Sequence, residues 1–243
     1  MSHDYAIQAG GVALSTIVQS SRLVKWTAGQ KRGTNFALPY MHGEVASLDK
    51  YFTGADVLLE VHLPGEADAD GSEALSDLQA IFAAQGLVVV QYDDPHKGDI
   101  RARTELLVEP IPSQDRLTYL FALRNPAGFW EDVTASTASA ASPPVVTTGG
   151  DRPIHDMVLT FSGPGYLQHT DSLGQVSRIT IDAAAGAGTY VVDVGAGTVL
   201  KSSVAQDEFL TVTQAWWMKF SAGAAQSFTS SVSVAVSWRN KWS

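Results

Sequence analysis

Three short stretches of the sequence carry residue types that bind phosphate groups. Lys31 and Arg32 precede Gly33, and the tetrapeptide Gly-Ala-Gly-Thr occurs at 186–189 and again at 195–198. A phosphate-binding loop places such residues between a strand and the N-terminus of a helix. No helical pattern follows any of the three stretches. We therefore interpret the basic run as a solvated turn, and the repeated tetrapeptide as two tight turns on either side of one strand.

The carboxylates and histidines are not grouped in a way that supports catalysis or metal binding. His42 lies close to Glu44, but this pair is typical of a surface loop, and Asp207 and Glu208 are adjacent on a strand-like segment, so their side chains diverge. The acidic run at 66–71 resembles half a calcium loop but lacks the later bidentate glutamate. The six histidines are scattered, and no protease, hydrolase, P-loop or dinucleotide motif occurs. We predict no catalytic, cofactor or metal site, and no enzymatic activity.

The composition is that of a folded protein with an uneven charge. Of 243 residues, 45% are hydrophobic and 17% charged, and there is no cysteine, which excludes disulfides. The first residues lack the pattern of a signal peptide, and no apolar run is long enough to cross a membrane. Residues 1–132 hold 10 basic and 18 acidic side chains, a net charge of −8, whereas 133–243 hold 6 and 7, a net charge of −1. The acidic first part should repel nucleic acid.

The stretch 133–150 separates two strand-rich regions. It has no charge and no aromatic ring, and its Ser, Thr and Ala side chains bury too little area to offset the entropy of ordering them. We therefore predict a linker at 133–150 between two β-rich domains, 1–132 and 151–243. The alternative is a long loop within a single domain, although unstructured loops of this length are uncommon in compact domains.

The first domain should be a sheet or small barrel that carries one helix. Alternating residues from Val57 to Leu63 predict a half-buried strand with His62 on its polar face. Asp70 or Ser72 is expected to cap a helix. Other predicted elements are the apolar helix stripe Leu75, Leu78, Ile81 and Phe82, its stop at Gly86, a strand at 87–92 buried on both faces, and a hairpin of 101–109 with 117–124.

The second domain should be an antiparallel two-sheet sandwich. Short strands alternate with turns, and several of them show a period of two. The residues expected to face the core are Met157, Leu159, Phe161, Ile179, Ile181, Tyr190, Val192, Val194, Val232, Val234, Val236 and Trp238. Trp216 and Trp217 are adjacent, so at most one of them faces the core; the other could stack on a sugar or a partner protein, although a partly buried structural role is the default interpretation. The predicted fold class is thus mainly β.

The sequence resembles the distal tail proteins of long-tailed, non-contractile bacteriophages over nearly its full length. The resemblance rests on patterns of turns and strand edges, not on a chemical signature. They lie at 31–44 (KRGTNFALPYMHGE), 64–86, 124–130, 150–163, 191–195 and 234–242. Family likeness implies a β-barrel-like first domain that forms a hexameric ring, and a galectin-like sandwich on the outside of that ring.

The resemblance also implies a role at the tip of the virion tail. The ring would cap the tail tube, carry the lysin-type tail-tip hub and other minor tail proteins, and let DNA pass through its lumen; the virion would assemble in the host cytoplasm. From the acidic charge of the first domain we add the hypothesis that some of its carboxylates line this lumen. The loop aromatics Phe36, Tyr40, Tyr51 and Phe52 are candidates for assembly contacts, and packing in the core is the alternative role for them. The alternative function is a carbohydrate-binding module that uses Trp216 or Trp217 and touches the host envelope.

Overall fold

The structure is a computed structural model of the chain. It describes residues 6–26, 31–32, 35–37, 44–46, 51–52, 54–65, 68–83, 87–112, 117–171, 174–213 and 218–243, and of 25–26, 31–32, 35–37, 44–46, 51–52, 68–70 and 212–213 it describes the backbone alone. The chain divides into two compact units, Met1–Trp130 with Ser243, and Glu131–Trp242. No helix in the described ranges is long and apolar enough to span a membrane.

The first unit is built from antiparallel strands, a short 3-10 turn at Leu14–Thr16 and the helix α1, Asp68–Ala83. Its strands are β1 Gln8–Ala9, β2 Val12–Ala13, β3 Ser20–Trp26, β4 Lys31–Arg32, β5 Asn35–Ala37, β6 Glu44–Ala46, β7 Tyr51–Phe52, β8 Ala55–His62, β9 Val88–Asp94, β10 Gly98–Leu106, β11 Ile111–Pro112 and β12 Thr118–Asn125. The main sheet has the order β2-β1-β9-β10-β12-β8-β3, and β11 pairs with β12.

The core of the first unit lies between the inner face of this sheet and α1. Every second residue of β8 is buried, as the alternating sequence predicts, and Phe121 and Leu123 of β12 are fully buried opposite Leu59 and Val57. Leu78 and Phe82 form the buried stripe of α1, and the rings of Phe82 and Phe121 lie 5.2 Å apart. The predicted strand, helix stripe and β10–β12 hairpin are therefore confirmed.

Three local predictions in the first unit are wrong. The helix begins at Asp68, so Asp70 and Ser72 lie inside it and do not cap it; the predicted stop at Gly86 falls outside the described residues. The strand at 87–92 has only one buried face, because its other face is an outer face of the sheet. Lys31 and Arg32 form the strand β4 and not a solvated turn, since their backbone pairs with β7.

The second unit is an antiparallel sandwich of two sheets. Its described strands are β13 Trp130–Asp132, which begins at the unit boundary, β14 Ser136–Ala141, β15 Val158–Phe161, β16 Gly165–Thr170, β17 Val176–Ile181, β18 Tyr190–Asp193, β19 Thr198–Lys201, β20 Val204–Ala205, β21 Leu210–Thr213, β22 Ser227–Ser230, β23 Val234–Trp238 and β24 Lys241–Trp242, with 3-10 turns at Ala183–Ala185 and Asp207–Phe209. One sheet has the order β14-β23-β15-β18-β19-β20 and the other β21-β17-β16-β22, while β24 pairs with β13. The residues predicted to face the core are buried there, with Val232 partly buried against it. The mainly β fold, with one helix in the first unit and a sandwich in the second, is confirmed.

The predicted linker at 133–150 is wrong for most of its length. Ser136–Ala141 forms β14, which pairs with β23, and Ala138 packs against the sandwich core. Further along, Val146 is buried and Thr147 bridges to Ala225. The small side chains bury little area themselves, but the neighbouring strand satisfies their backbone hydrogen bonds, a long-range effect that local composition does not indicate.

Candidate assembly surfaces

Between β3 and β8 the chain forms nested antiparallel pairs. β3 pairs with β8 from Ser20↔His62 to Trp26↔Val57, then Lys31↔Phe52 and Arg32↔Tyr51 join β4 to β7. Inside these, β5 pairs with β6 from Asn35↔Ala46 to Ala37↔Glu44. The registers nest without crossing, as in one long hairpin. Within the described pairing, the β4–β7 and β5–β6 ribbons join no further strand. We call the stretch from β4 to β7 the hairpin.

Most of the predicted contact residues lie in or near this hairpin. Phe36 is in β5, and Tyr51 and Phe52 form β7; the structure describes their backbone only. Tyr40 lies outside the described residues, as do Trp216 and Trp217. The structure therefore places Phe36 in the β5–β6 ribbon, and Tyr51 and Phe52 in the β4–β7 ribbon.

The outer face of the main sheet in the first unit carries charged residues in cross-strand rows. Arg124 of β12 stands opposite Glu105 of β10 on one side and Asp56 of β8 on the other, and all three are exposed. Such neighbours on one sheet face lie about 5 Å apart. Two rows along, beyond the apolar pair Leu58 and Ala122, the Nε atom of Arg22 donates to Glu60 at 2.6 Å, and this hydrogen bond raises the pKa of the exposed arginine. Opposite charges therefore stand side by side in two of the rows on this face.

The outer face of the six-stranded sheet in the second unit is nearly free of charge. One row of directly paired residues crosses it as Ala235, Thr160, Val191, Leu200 and Ala205. Val191 and Leu200 are neighbours and are 36% and 38% exposed. Burying such a row against another protein would desolvate no charge, which is the property of the centre of a protein–protein interface. We call these five residues the neutral row.

The parallel row on the same face has one charged residue. It runs as Thr137, Ser237, Val158, Asp193 and Thr198. The Oδ1 atom of Asp193 accepts a hydrogen bond from the backbone amide of Ala196 at 2.9 Å, so this carboxylate caps the turn that follows β18. The charge thus has a structural role at the end of the row.

The outer face of the four-stranded sheet is polar and has a different character. Arg178 of β17 stacks over the ring of Tyr166 on β16, with its guanidinium carbon 3.7 Å from the ring centroid. Its Nε atom also donates to the hydroxyl of Thr180 at 3.4 Å, and Gln168 stands directly opposite Arg178. The aromatic ring and the cation hold each other in place. This face therefore presents a fixed aromatic–cation pair among hydroxyl and amide groups.

The two Gly-Ala-Gly-Thr stretches form turns, as predicted. Gly186 and Gly197 adopt positive φ angles of 76° and 69°, and β18 lies between the two turns. Both stretches thus shape the sandwich edge through their backbone conformation.

The other residues considered for chemistry also have structural roles. Asp207 and Glu208 lie in a 3-10 turn and not in the predicted strand, because the Oδ1 atom of Asp207 accepts the amide of Val199 at 2.6 Å. The Nδ1 atom of His62 lies 2.9 Å from the Thr118 hydroxyl on the outer face of β8. Residues 68–71 are helical, a geometry that a calcium loop does not have. Among the described residues, no group of three or more possible metal ligands occurs, and His42 lies outside them.

The chain is similar to solved structures of phage tail proteins. No protein-family model and no curated protein matches it. The structure of Dit from phage SPP1 matches over 98% of this chain and 98% of its own, at 11% sequence identity and a TM-score of 0.69; that protein is described as a paradigm of the hub adsorption apparatus in phages that infect Gram-positive bacteria.

Two structures of the phage p2 baseplate, in its activated conformation with Sr and with Ca, match over 90% of both chains at 9% identity, with TM-scores of 0.45 and 0.40. This likeness is weak and does not by itself indicate a shared fold. The match to SPP1 Dit spans both units and does not favour the carbohydrate-binding alternative. The predicted resemblance to a distal tail protein is confirmed at the level of architecture: this chain has the fold of SPP1 Dit.

Proposed function

We propose that this protein is a distal tail protein that forms a ring at the end of a phage tail tube and serves as the hub of the tail tip. The observation that carries this proposal is the likeness to SPP1 Dit over 98% of both chains, since both units and their order are matched. A match confined to the sandwich would fit many unrelated functions. The proposed role is structural and not enzymatic.

The first unit is the proposed ring-forming part, and its contact element is the hairpin. The ribbons β4–β7 and β5–β6 offer backbone edges that no described strand of the same chain occupies. Exposed edges pair readily with another chain, so a neighbouring subunit is the natural occupant. Phe36, Tyr40, Tyr51 and Phe52 would add apolar contacts to this pairing. We propose six subunits per ring.

The second unit, Glu131–Trp242, is the proposed outer part of the ring. Its neutral row is the surface best suited to dock other tail-tip proteins, because no charge must be desolvated there. The partners are the tail tube protein, the lysin-type hub and other minor tail proteins. The protein would be located at the tail tip of the virion, after assembly in the host cytoplasm.

The excess of carboxylates in the first 132 residues suits a ring through which DNA passes. Its net charge of −8 would repel the phosphate backbone and prevent the ring from holding the DNA. We propose that some of these carboxylates line the lumen. A cryo-EM structure of the ring that showed a basic lumen would contradict this part of the proposal.

Native mass spectrometry of the purified full-length chain, with negative-stain images, tests the ring. We expect a six-subunit ring, alone or when isolated tail tubes are added. In the triple variant Phe36→Ser, Tyr51→Ser and Phe52→Ser, we expect loss of the ring with the fold retained by circular dichroism. The matched control is Tyr166→Ser, which removes an aromatic from the second unit and should leave the ring intact. A wild-type monomer that also fails to bind tube ends would refute the proposal.

A further inference from the structure

The second unit buries a histidine that none of the assembly surfaces uses. His169 is on the inner face of β16 and is 1% exposed. Its ring lies 5.1 Å from the ring of Phe228 and 5.6 Å from that of Phe220, measured between centroids. Two aromatic rings and the sandwich core thus surround the imidazole. A charge in such a place is costly because water cannot solvate it.

The polar contact of this imidazole is with the side chain of Gln226, which joins three parts of the second unit. The Nε2 atom of His169 lies 3.1 Å from the Oε1 atom of Gln226. The amide nitrogen of Gln226 donates to the Thr148 hydroxyl at 3.2 Å and to the carbonyls of Ser221 and Ala224 at 3.0 and 2.8 Å. The Thr148 hydroxyl in turn donates to the carbonyl of Ser221 at 2.6 Å. Gln226 therefore ties β16, the turn at 221–226 and Thr148 together.

The hydrogen bonds of Gln226 determine which ring nitrogen of His169 carries the proton. The Oε1 atom of Gln226 also accepts the backbone amide of Ser221 at 3.0 Å, so this atom is the acceptor and the amide nitrogen is the donor. His169 must then carry its proton on Nε2 and donate to Gln226, which leaves Nδ1 without a proton in the neutral ring. A second proton would place a positive charge between Phe220 and Phe228. The site is therefore built for the neutral form.

Burial and two neighbouring groups act on the protonation of this histidine in opposite directions. Burial lowers the pKa of His169, while the hydrogen bond to Gln226 and the charge of Asp171, which follows the last residue of β16, act in the opposite direction. On the neighbouring strand β17, Ser177 is the paired residue and Arg178 stacks with Tyr166 on the outer face. Lys219 precedes Phe220 in the sequence. Burial is the largest influence.

We propose that His169 and Gln226 form an acid-sensitive latch that holds the turn at 221–226 and the segment around Thr148 against the sandwich. The latch is closed while the imidazole is neutral. When it takes up a second proton, the charge must reach water, so the ring leaves its aromatic site and Gln226 loses its partner. The turn and the Thr148 segment then open, while the first unit stays folded.

The direction of the pH dependence follows from the lowered pKa. In the unfolded chain the histidine takes up a proton near its ordinary pKa of about 6.5, whereas in the folded state it takes up the proton only at a lower pH. The stability that the latch contributes is therefore complete above about pH 6.5 and is lost as the pH falls through the lower pKa of the folded state. Acid opens the latch, and neutral pH closes it.

Hydrogen exchange measured by mass spectrometry on the full-length chain, at a series of pH values and corrected for intrinsic exchange, tests this latch. We expect peptides that cover 146–150 and 219–228 to exchange roughly tenfold faster for each unit that the pH falls below about 6.5, until the lower pKa of the folded state is reached. Peptides that cover 55–63 in the first unit should not change. Wild-type protection that persists down to about pH 4 would overturn the proposal, since the unfolded histidine is then fully protonated.

A matched pair of variants isolates the histidine. His169→Gln keeps a hydrogen-bond donor but cannot titrate, so its protection at 146–150 and 219–228 should no longer depend on pH in this range. His62→Gln removes a histidine from the outer face of β8 and should behave as the wild type. If His169→Gln does not fold, the histidine ring signals of the wild-type protein in an NMR titration replace it. A buried histidine that titrates at or above the ordinary pKa would overturn the latch, and one that titrates below it would support the latch.

Discussion

The two units distribute their polar groups in opposite ways. The first unit keeps its charges outside, in rows such as Glu105, Arg124 and Asp56, and its described core is apolar apart from Thr104 and Asn125. Among its described residues the second unit buries the basic side chains of Lys241 and His169, yet its six-stranded sheet presents the neutral row to the outside. These polar interactions thus lie on the surface in the first unit and in the interior in the second.

This difference indicates how each unit is held together and what each can dock. Buried polar networks are costly when one member is lost, because the remaining groups have no water to replace it. Surface ion pairs contribute little, since water solvates both partners. We therefore expect single polar substitutions to destabilise the second unit far more than the first. The neutral row, in contrast, should be important for association and not for stability.

The largest expected effect comes from Gly150 in the second unit. Its φ angle is +77°, and a Cβ atom there would overlap the carbonyl oxygen of Lys241, which also accepts the amides of Asp151 and Arg152. Because backbone cannot move aside as a side chain can, we expect Gly150→Ala to lower the free energy of unfolding of this unit by about 4 kcal/mol. Urea unfolding followed by hydrogen exchange of peptides from each unit measures it.

Gly98 is the matched control for this substitution. It has a φ angle of +75° at the start of β10, but a Cβ atom there would meet nothing within 4 Å. Gly98→Ala should cost only the conformational penalty of about 1 kcal/mol. Equal losses in the two variants would mean that the contact with Lys241 is unimportant.

The next largest effect concerns the buried ion pairs of Lys241. Its side chain is 4% exposed, and its Nζ atom lies 3.0 Å from Glu131 and 2.6 Å from Asp156, carboxylates that are 20% and 48% exposed. Removing one partner of a fully buried pair costs about 3–5 kcal/mol, but water reaches these carboxylates. We therefore expect Lys241→Met to destabilise the second unit by about 2 kcal/mol in urea unfolding. Arg103→Met, an exposed cation on β10, is the control and should have no measurable effect.

The sequence predicted those parts of the fold that depend on local periodicity. The period of two identified the inner faces of β15, β18 and β23, and the period of the helix identified Leu78 and Phe82 as buried. It failed at β14, since a Ser–Ala stretch becomes a strand only because β23 lies beside it. It also failed for Lys31 and Arg32, whose strand pairing depends on residues twenty positions away.

The candidate surfaces were predictable only in part. Val191 and Leu200 alternate with core residues along their strands. This alternation alone predicts that both side chains lie on the outer face of the sheet. The row that joins them to Thr160 and Ala235 depends on the order and register of four strands, and no local pattern contains that information. The network of His169, Gln226 and Thr148 likewise brings together residues far apart in the chain.

Substitutions in the neutral row should weaken binding to partner proteins and leave the free energy of unfolding nearly unchanged. Val191 and Leu200 are exposed neighbours, so Val191→Lys with Leu200→Glu adds an opposite-charge pair without opening a cavity. We expect the free energy of unfolding to change by less than about 0.5 kcal/mol. Binding of the purified protein to tail-tip proteins, measured by co-sedimentation with assembled tail tips, should be lost because the new charges must be desolvated. Unchanged co-sedimentation would exclude the neutral row as a docking surface.

The smallest expected effect is at the ion pair of Arg22 and Glu60 on the outer face of the first unit. Arg22 is largely exposed, and its hydrogen bond of 2.6 Å to Glu60 is open to water and salt. A short distance does not make such a pair stabilising, since ordering two long side chains offsets the attraction. We expect Arg22→Gln to leave the urea midpoint unchanged within error, at low and at high salt. A loss of unfolding free energy comparable to that of Lys241→Met would show that the first unit depends on its surface charges as strongly as the second depends on its buried ones. The contrast between the two units would then be wrong.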